Sequence, residues 1–319
     1  MKSKLYDAIT GFVVGDALGV PDEFKMRGTF ECTGMRASSM TDAHLALPLG
    51  SWSDDTSLML CVLDALTLRQ QSDVETPADK VQQKVYNRWK SNAIAWMTHG
   101  KFTNHGYLIP YDIGNSCRRG ITAMMLGHHD KRSDSANANG NGGLMRILPL
   151  AFCQFADDEE LMDYIKLINK CSHNHQISHV GSFIYTKLVQ NAANSEQNLA
   201  EILENTVKMM PNEYLLPEYE RIWDLSILNA EVNTVASTGY VVHTLEAAIW
   251  SVATSNSYTE AVLKAVNLGE DTDTVAAIAG GLAAVVFGGV PEQWIRNTRK
   301  QDKLQRMCAE FEGDAHGRI

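Results

Sequence analysis

The sequence predicts an all-α protein with a single domain over residues 1–319, and three observations support this prediction. Apolar residues recur at helical spacing through most of the chain. Strands with alternating polar and apolar residues are hard to find. The segments between the helical stretches are rich in Gly, Asn and Pro, which is typical of loops held on a helical frame.

The first predicted helix combines an apolar face with a stripe of small residues. Its apolar face consists of Leu5, Ala8, Ile9, Phe12, Val13 and Ala17. Gly11, Gly15 and Gly19 recur at every fourth position, which predicts a smooth surface where another helix can approach closely. The chain then turns at Pro21.

The same periodicity predicts further helices near residues 55–70, 78–98, 116–127, 158–170, 176–192, 197–209, 238–254, 257–267, 273–287 and 301–312. Candidate N-caps are Asp54 for the second helix, Ser116 for the fourth, and Asp271 or Thr272 for the penultimate one. Residues 275–290 carry no charge, but this run is shorter than the roughly 20 residues that a membrane span needs. We therefore expect a buried helix there.

Composition and charge exclude several classes of protein. The chain has 319 residues and a formal net charge of −10, which argues against a nucleic-acid binder. The N-terminal apolar stretch is interrupted by Asp7 and Asp16 and does not resemble a signal peptide. The six cysteines form no C-x-x-C pair, which favours reduced thiols in a cytoplasmic protein over a disulfide framework. No membrane partner is expected.

Two short acidic motifs predict a metal site. They are Ser53-Asp54-Asp55-Thr56 and Asp271-Thr272-Asp273-Thr274, and each lies at a predicted helix start. Carboxylates and hydroxyl oxygens suit hard cations such as Mg²⁺ or Mn²⁺, and the two motifs together could hold two of them. Helix capping is the alternative for either motif alone. The spacing of an EF-hand is absent.

Several other polar residues allow two interpretations each. Asp22 and Glu23 are either surface carboxylates or include a general acid/base. The segment from Asn139 to Arg146, with Gly140, Gly142 and Gly143, is either an anion-binding loop or a flexible turn. Arg146 could pair with a phosphate or play a structural part.

Asp112 is either a turn residue or part of a site, and the histidines near residue 175 raise a further alternative. His175 and His179 have the spacing of zinc ligands on one helical face, with His173 close by. No H-E-x-x-H motif accompanies them, so we favour a single pocket histidine over a zinc centre.

Six segments of the chain resemble the ADP-ribosylglycohydrolases, the family that includes the dinitrogenase reductase-activating glycohydrolase. The segments are Gly15-Asp16-Ala17-Leu18-Gly19 with Glu23, Gly50-Ser51-Trp52-Ser53-Asp54-Asp55-Thr56, Asp112-Ile113-Gly114-Asn115, Asn141-Gly142-Gly143-Leu144-Met145-Arg146, Ser172-His173, and the stretch from Gly239-Tyr240 through Gly269-Glu270-Asp271-Thr272-Asp273-Thr274 to Trp294. They occur in the family's order across most of the chain. Ser53 replaces the more usual threonine, and Glu270 stands where glycine is common.

The resemblance implies an orthogonal helical bundle with two Mg²⁺ or Mn²⁺ ions in a central cleft. The residues that match the family's metal ligands are Ser53, Asp54, Asp55, Asp271, Asp273 and Thr274. Glu23, Asp112 and Asp55 are the expected catalytic residues. Asn141, Gly142, Gly143 and His173 match residues that contact the substrate.

The same resemblance implies an enzyme that removes ADP-ribose from modified protein side chains. The expected substrate is an ADP-ribosylated protein, with arginine as the first choice of modified side chain, and the product is free ADP-ribose. Serine-linked ADP-ribose, O-acyl-ADP-ribose and a catalytically inactive ADP-ribose-binding relative are the alternatives.

Overall fold

The structure is a computed structural model that describes residues 3–38, 46–72 and 75–313. Within these residues the chain forms thirteen α-helices: α1 (Lys4–Gly19), α2 (Asp54–Gln70), α3 (Ala78–His99), α4 (Asn115–Met125), α5 (Asp158–Asn169), α6 (Gln176–Ala193), α7 (Leu199–Lys208), α8 (Glu220–Trp223), α9 (Val241–Ala253), α10 (Tyr258–Asn267), α11 (Thr272–Val286), α12 (Glu292–Asn297) and α13 (Gln301–Phe311). The all-α prediction is confirmed, since these ranges contain only two isolated β-bridges and no strand.

Short 3-10 helices connect several of the longer elements. They span Val20–Asp22, Lys131–Asp134, Leu144–Arg146, Leu148–Phe152, Asn212–Tyr214, Pro217–Tyr219, Ser226–Asn229 and Val232–Thr234. Every helix expected from the periodicity is present, with ends that differ by a few residues. The short helices α8 and α12 were not anticipated, because helices of four and six residues are too short to show a period.

The glycine stripe of α1 brings this helix against α11, as its spacing predicted. A Cβ atom at Gly15 would lie 2.0 Å from the carbonyl oxygen of Ala276, and one at Gly19 would lie 2.3 Å from Cα of Asp273. No side chain larger than hydrogen fits at such distances. The C-terminal end of α1 therefore lies directly against the start of α11, which carries the second acidic motif.

One hydrophobic cluster runs through the bundle from α1 to α13. Helix α11 lies at its centre with Val275, Ile278 and Leu282 fully buried, and α1, α9 and α10 pack around it. This continuity supports our proposal that the chain folds as one domain. Across the described ranges, helices with the length and apolar character needed for a membrane span are absent.

Candidate metal and substrate site

Asp16 in α1 holds the start of α2 in place. Its side chain is fully buried, and its two carboxylate oxygens accept hydrogen bonds from the backbone N–H groups of Ser53 (2.9 Å) and Thr56 (3.0 Å). Burial raises the pKa of Asp16 to about 6, against the opposing effect of the hydrogen bonds from Thr56 and Ser53. Sequence reasoning did not assign this role, although a charged residue on an apolar helical face was the available signal.

The first acidic motif forms the N-terminus of α2, but its aspartates do not cap the helix. The N-cap is Ser53, whose Oγ accepts from the backbone N–H of Asp55 (3.2 Å), so the prediction of Asp54 as the cap was wrong. Oδ2 of Asp54 instead accepts from the backbone N–H of Gly114 (3.2 Å), at the start of α4. Gly114 is also the N-cap of α4, where Ser116 was expected.

The second acidic motif is fixed at the start of α11. Thr272 donates from Oγ1 to the carbonyl oxygen of Gly19 (2.8 Å), which fastens this turn to α1. Asp271 occupies the N-cap position but makes no side-chain capping bond. Its Oδ2 accepts from Nδ2 of Asn141 (2.8 Å). Capping therefore does not account for the carboxylates of either motif.

The two motifs meet in the wall of one cavity of about 270 Å³. The acidic residues that line it are Glu23, Asp54, Asp55, Asp112, Asp271 and Asp273. Carboxylate oxygens of Glu23, Asp112 and Asp273 lie within 4.8 Å of one another. This closest trio draws on three separate segments of the chain, two of them outside the acidic motifs.

Burial and crowding of like charges shift these carboxyl groups strongly. Burial raises the pKa of Glu23 to about 10, and the nearby charges of Asp112 and Asp271 add to the effect. The pKa of Asp273 is raised well above its ordinary value by burial, with Glu23 and Asp55 contributing. Each charge therefore disfavours the others when no cation lies between them.

The side chains of this cavity suit a hard divalent cation. Oδ1 of Asp55 is buried without a hydrogen-bond partner. None of the described residues that line the cavity is Lys or Arg, so the protein supplies no positive side chain to the cluster. Oxygen donors with unbalanced negative charge are the ligand type that Mg²⁺ and Mn²⁺ bind.

Thr274 also lines the cavity, whereas Ser53 does not. The hydroxyl of Ser53 donates instead to Oδ2 of Asp55 (3.0 Å) and so orients that carboxylate.

Glu23 and Asp22 are neighbours in sequence with different surroundings. Asp22 is fully buried and forms ion pairs with Lys25 (2.9 Å) and Arg36, so the expectation of a surface carboxylate was wrong for this residue. Glu23 lines the cavity and belongs to the close trio. Of the two, Glu23 is the carboxylate that faces the site.

The glycine-rich segment lies on another wall of the cavity. Gly140, Asn141 and Gly142 line it, while Gly143 lies behind and packs against Asn169. A Cβ at Gly142 would come within 2.8 Å of Cε1 of His173, so only glycine allows this loop and the histidine to lie so close.

Arg146 does not line the cavity, which favours the structural interpretation of this residue over pairing with a phosphate. Its guanidinium is fully buried, stacks over Trp89, and donates to Oδ1 of Asn169 (3.2 Å) and Oγ of Ser172 (2.9 Å). Ser172 Oγ in turn lies 2.8 Å from Nδ1 of His173. Since Arg146 can only donate, Ser172 Oγ accepts from it and can give its own hydrogen to Nδ1, and in that arrangement the proton of His173 lies on Nε2.

The zinc alternative finds no support in the geometry. Nδ1 of His175 accepts from the backbone N–H of Ile177 as the cap of α6, and the ring also contacts Asn139. Burial lowers the pKa of His173 well below its ordinary value, and that of His179 to about 4. Over residues 3–38, 46–72 and 75–313, the histidines enter no group of three closely spaced metal-ligand side chains.

Comparisons with known proteins agree with this geometry. The family model described as ADP-ribosylglycohydrolase matches residues 1–318. An ADP-ribosylarginine hydrolase Tri1 from Pseudomonas putida is 27% identical over 95% of this chain and 76% of its own length. The ADP-ribosyl-dinitrogen reductase glycohydrolase of Rhodospirillum rubrum is 25% identical over 90% of this chain and 87% of its own.

A solved structure shares the fold. It is described as an ADP-ribosylglycohydrolase-related protein complex, with a TM-score of 0.73 and 24% identity over 98% of both chains. The family match over residues 1–318 and the named relatives show that the chain belongs to the ADP-ribosylglycohydrolase family and is a glycohydrolase.

Proposed function

We propose that this enzyme hydrolyses the bond between ADP-ribose and an arginine side chain of a modified protein, and releases free ADP-ribose. The observation that carries the proposal is the meeting of both acidic motifs with Glu23 and Asp112 in one cavity. The names of the relatives from Pseudomonas putida and Serratia proteamaculans, both ADP-ribosylarginine hydrolases, support the arginine linkage.

We further propose that two divalent cations, Mg²⁺ or Mn²⁺, bind in this cavity. The proposed ligands are Asp54, Asp55, Asp271, Asp273 and Thr274, which all line the cavity, while Ser53 is proposed to act through Asp55, whose Oδ2 accepts from its hydroxyl (3.0 Å). The unpartnered Oδ1 of Asp55 is the best single support for such a site. When bound, such cations supply Lewis acidity and fix the orientation of ribose hydroxyl groups.

The protein's own carboxylates are proposed to handle the proton. Glu23 and Asp112 are close to each other and to Asp273, so either can reach the same reacting centre. Glu23 is proposed to give a proton to the leaving nitrogen, because it lines the cavity and lies in the close trio, while Asp55 lines the cavity beside it. Separate Glu23→Gln and Asp112→Asn variants would show which carboxylate limits turnover.

The glycine-rich wall is proposed to hold the anionic part of the substrate. Gly140, Asn141 and Gly142 line the cavity, with Gly143 behind them. The backbone N–H of Asn141 already donates to the carbonyl oxygen of Gly239 (2.9 Å), so the N–H of Gly142 is the proposed donor to a phosphate oxygen. His173, kept neutral by burial, offers its Nε2 proton on the same side. This arrangement lets an acidic protein bind a diphosphate without a cationic side chain.

The test is release of arginine and ADP-ribose from ADP-ribosyl-arginine by the purified chain with Mn²⁺ or Mg²⁺. We expect the wild type to release both products. A chelator should stop this hydrolysis, and the Asp55→Asn variant should show none. Hydrolysis confined to serine-linked ADP-ribose or O-acyl-ADP-ribose would assign the other linkage instead. Binding of ADP-ribose without turnover of any of the three would indicate an inactive relative.

The cellular setting follows from charge and cysteine chemistry. All six cysteines are free and buried, which supports a reducing compartment, and we propose the cytoplasm. The net charge of −10 supports a protein substrate rather than nucleic acid or an anionic membrane surface as the partner.

A further inference from the structure

Two strained residues lie beside the acidic cavity. Phe24 has a φ of 63° and Glu270 a φ of 60°, both in the left-handed region that side chains other than glycine rarely adopt. They directly follow Glu23 and directly precede Asp271, which line the cavity. Backbone strain that persists next to a site is a reason to look for a function of the side chains it displays.

The backbone fastens these two residues to each other. The N–H of Phe24 donates to the carbonyl oxygen of Glu270 (2.7 Å), and the N–H of Glu270 donates to that of Lys25 (2.7 Å). Two residues beyond Lys25 and Glu270 on their segments, Nε of Arg27 donates to the carbonyl oxygen of Leu268 (2.8 Å). Three hydrogen bonds between the two chain segments therefore set the relative positions of Phe24 and Glu270.

The two side chains offer an aromatic face and a negative charge at the mouth of the cavity. The ring of Phe24 lines the cavity and is 64% exposed, whereas the other apolar lining residues, Met145 and Cys117, are buried. Glu270 is exposed and does not line the cavity. Its carbonyl oxygen accepts from the N–H of Phe24 (2.7 Å) and its neighbour Asp271 lines the cavity, so Glu270 lies at the rim beside Phe24.

We propose that Phe24 and Glu270 form the subsite for the guanidinium group of the substrate's arginine. The inference rests on the proposed arginine linkage and names the residues that select it. A guanidinium is planar and cationic, so it stacks on an aromatic face and donates hydrogen bonds to a carboxylate. A serine ether or an acyl group is neutral and gains from neither. Phe24 adjoins Glu23, which places the ring next to the leaving group rather than the distant adenine.

The experiment separates the guanidinium from the rest of the substrate. Purified wild type, Phe24→Leu and Glu270→Gln are compared for kcat/KM on an ADP-ribosyl-arginine peptide and for the Kd of ADP-ribose, which lacks the guanidinium. We expect Phe24→Leu to lower kcat/KM about tenfold and Glu270→Gln about fivefold, since aromatic and carboxylate contacts to a cation have about that effect. The Kd of ADP-ribose is expected to stay within twofold for both.

Glu270→Gly is the matched control for folding. Glycine adopts a φ of 60° without strain, so this variant is expected to unfold at the same or a higher temperature than the wild type. It should nevertheless lose activity on the arginine-linked peptide as Glu270→Gln does. A loss of activity without a loss of stability cannot come from misfolding.

Two results would overturn the inference while leaving the proposed function intact. In the first, Phe24→Leu and Glu270→Gln hydrolyse the arginine-linked peptide as fast as the wild type. In the second, Phe24→Leu weakens ADP-ribose binding as much as it lowers kcat/KM, which would place the ring against adenine. If the wild type itself released no arginine, the proposed linkage would fail first and the subsite with it.

Discussion

Replacing Asp273 with asparagine should stabilise the cation-free protein while removing its response to Mn²⁺. The substitution keeps an Oδ1 atom that can accept from the N–H of Thr274, as Asp273 does now at 2.9 Å. It removes one charge from a cluster whose carboxylate oxygens lie within 4.8 Å of one another, where two unit charges repel by about 3.5 kcal/mol at an effective dielectric constant of 20. Partial protonation shares this cost, so we expect a gain of about 1–2 kcal/mol.

The assay is thermal unfolding of chelator-treated protein, with and without Mn²⁺. For a chain of 319 residues, a gain of about 1–2 kcal/mol corresponds to a rise in Tm of roughly 1.5–3 °C. Added Mn²⁺ should raise the Tm of the wild type but not that of Asp273→Asn, and the exposed control Asp163→Asn should behave as the wild type. The reasoning is refuted if Asp273→Asn is less stable than the wild type and gains as much from Mn²⁺.

Three further predictions concern packing, the buried arginine and pH. Gly15→Ala should lower the free energy of unfolding in urea by about 3 kcal/mol or more, because its Cβ would lie 2.0 Å from a carbonyl oxygen of α11. The control Gly34→Ala, whose Cβ would lie 3.8 Å from its nearest neighbour, should lower it by less than about 0.5 kcal/mol. Arg146→Gln should raise the pKa of His173, followed by NMR, because the guanidinium charge adds to burial in lowering that pKa; no change would disprove the coupling. The Tm of chelator-treated protein should fall as pH rises from about 5 to about 9. Carboxyl groups such as Glu23 have a raised pKa in the folded state, so they release protons on unfolding and a higher pH favours the unfolded chain. A flat or rising profile without Mn²⁺ would contradict this sign.

The fold could be predicted from the sequence because its signals are local. Apolar periodicity located every long helix, and the spacing of Gly11, Gly15 and Gly19 anticipated the close approach that α1 makes to α11. The short helices α8 and α12 were not predicted, because contacts with the surrounding chain, and not their own residue pattern, determine where they begin and end.

The site was harder to predict because it depends on contacts between distant residues. The resemblance identified Glu23 and Asp112, but no sequence spacing shows that their carboxylates lie closest to Asp273. The role of Asp16 was not predicted because its hydrogen-bond partners are the backbone N–H groups of Ser53 and Thr56. Backbone N–H groups occur at almost every position, so no sequence motif identifies these two as partners. The two interpretations of Arg146 stayed open because burial of a charge cannot be seen in the sequence itself.

The docking of α1 against both α2 and α11 has a consequence for how the protein is made. Asp16 supports one acidic motif and Gly19 abuts the other, yet α11 follows α1 by some 250 residues of synthesis. At about 5–20 residues per second, the ribosome needs roughly 12–50 s to deliver that partner. During this interval α11 is not yet available to cover the apolar face of α1. We therefore expect nascent chains of this protein to bind chaperones until α11 emerges from the ribosome.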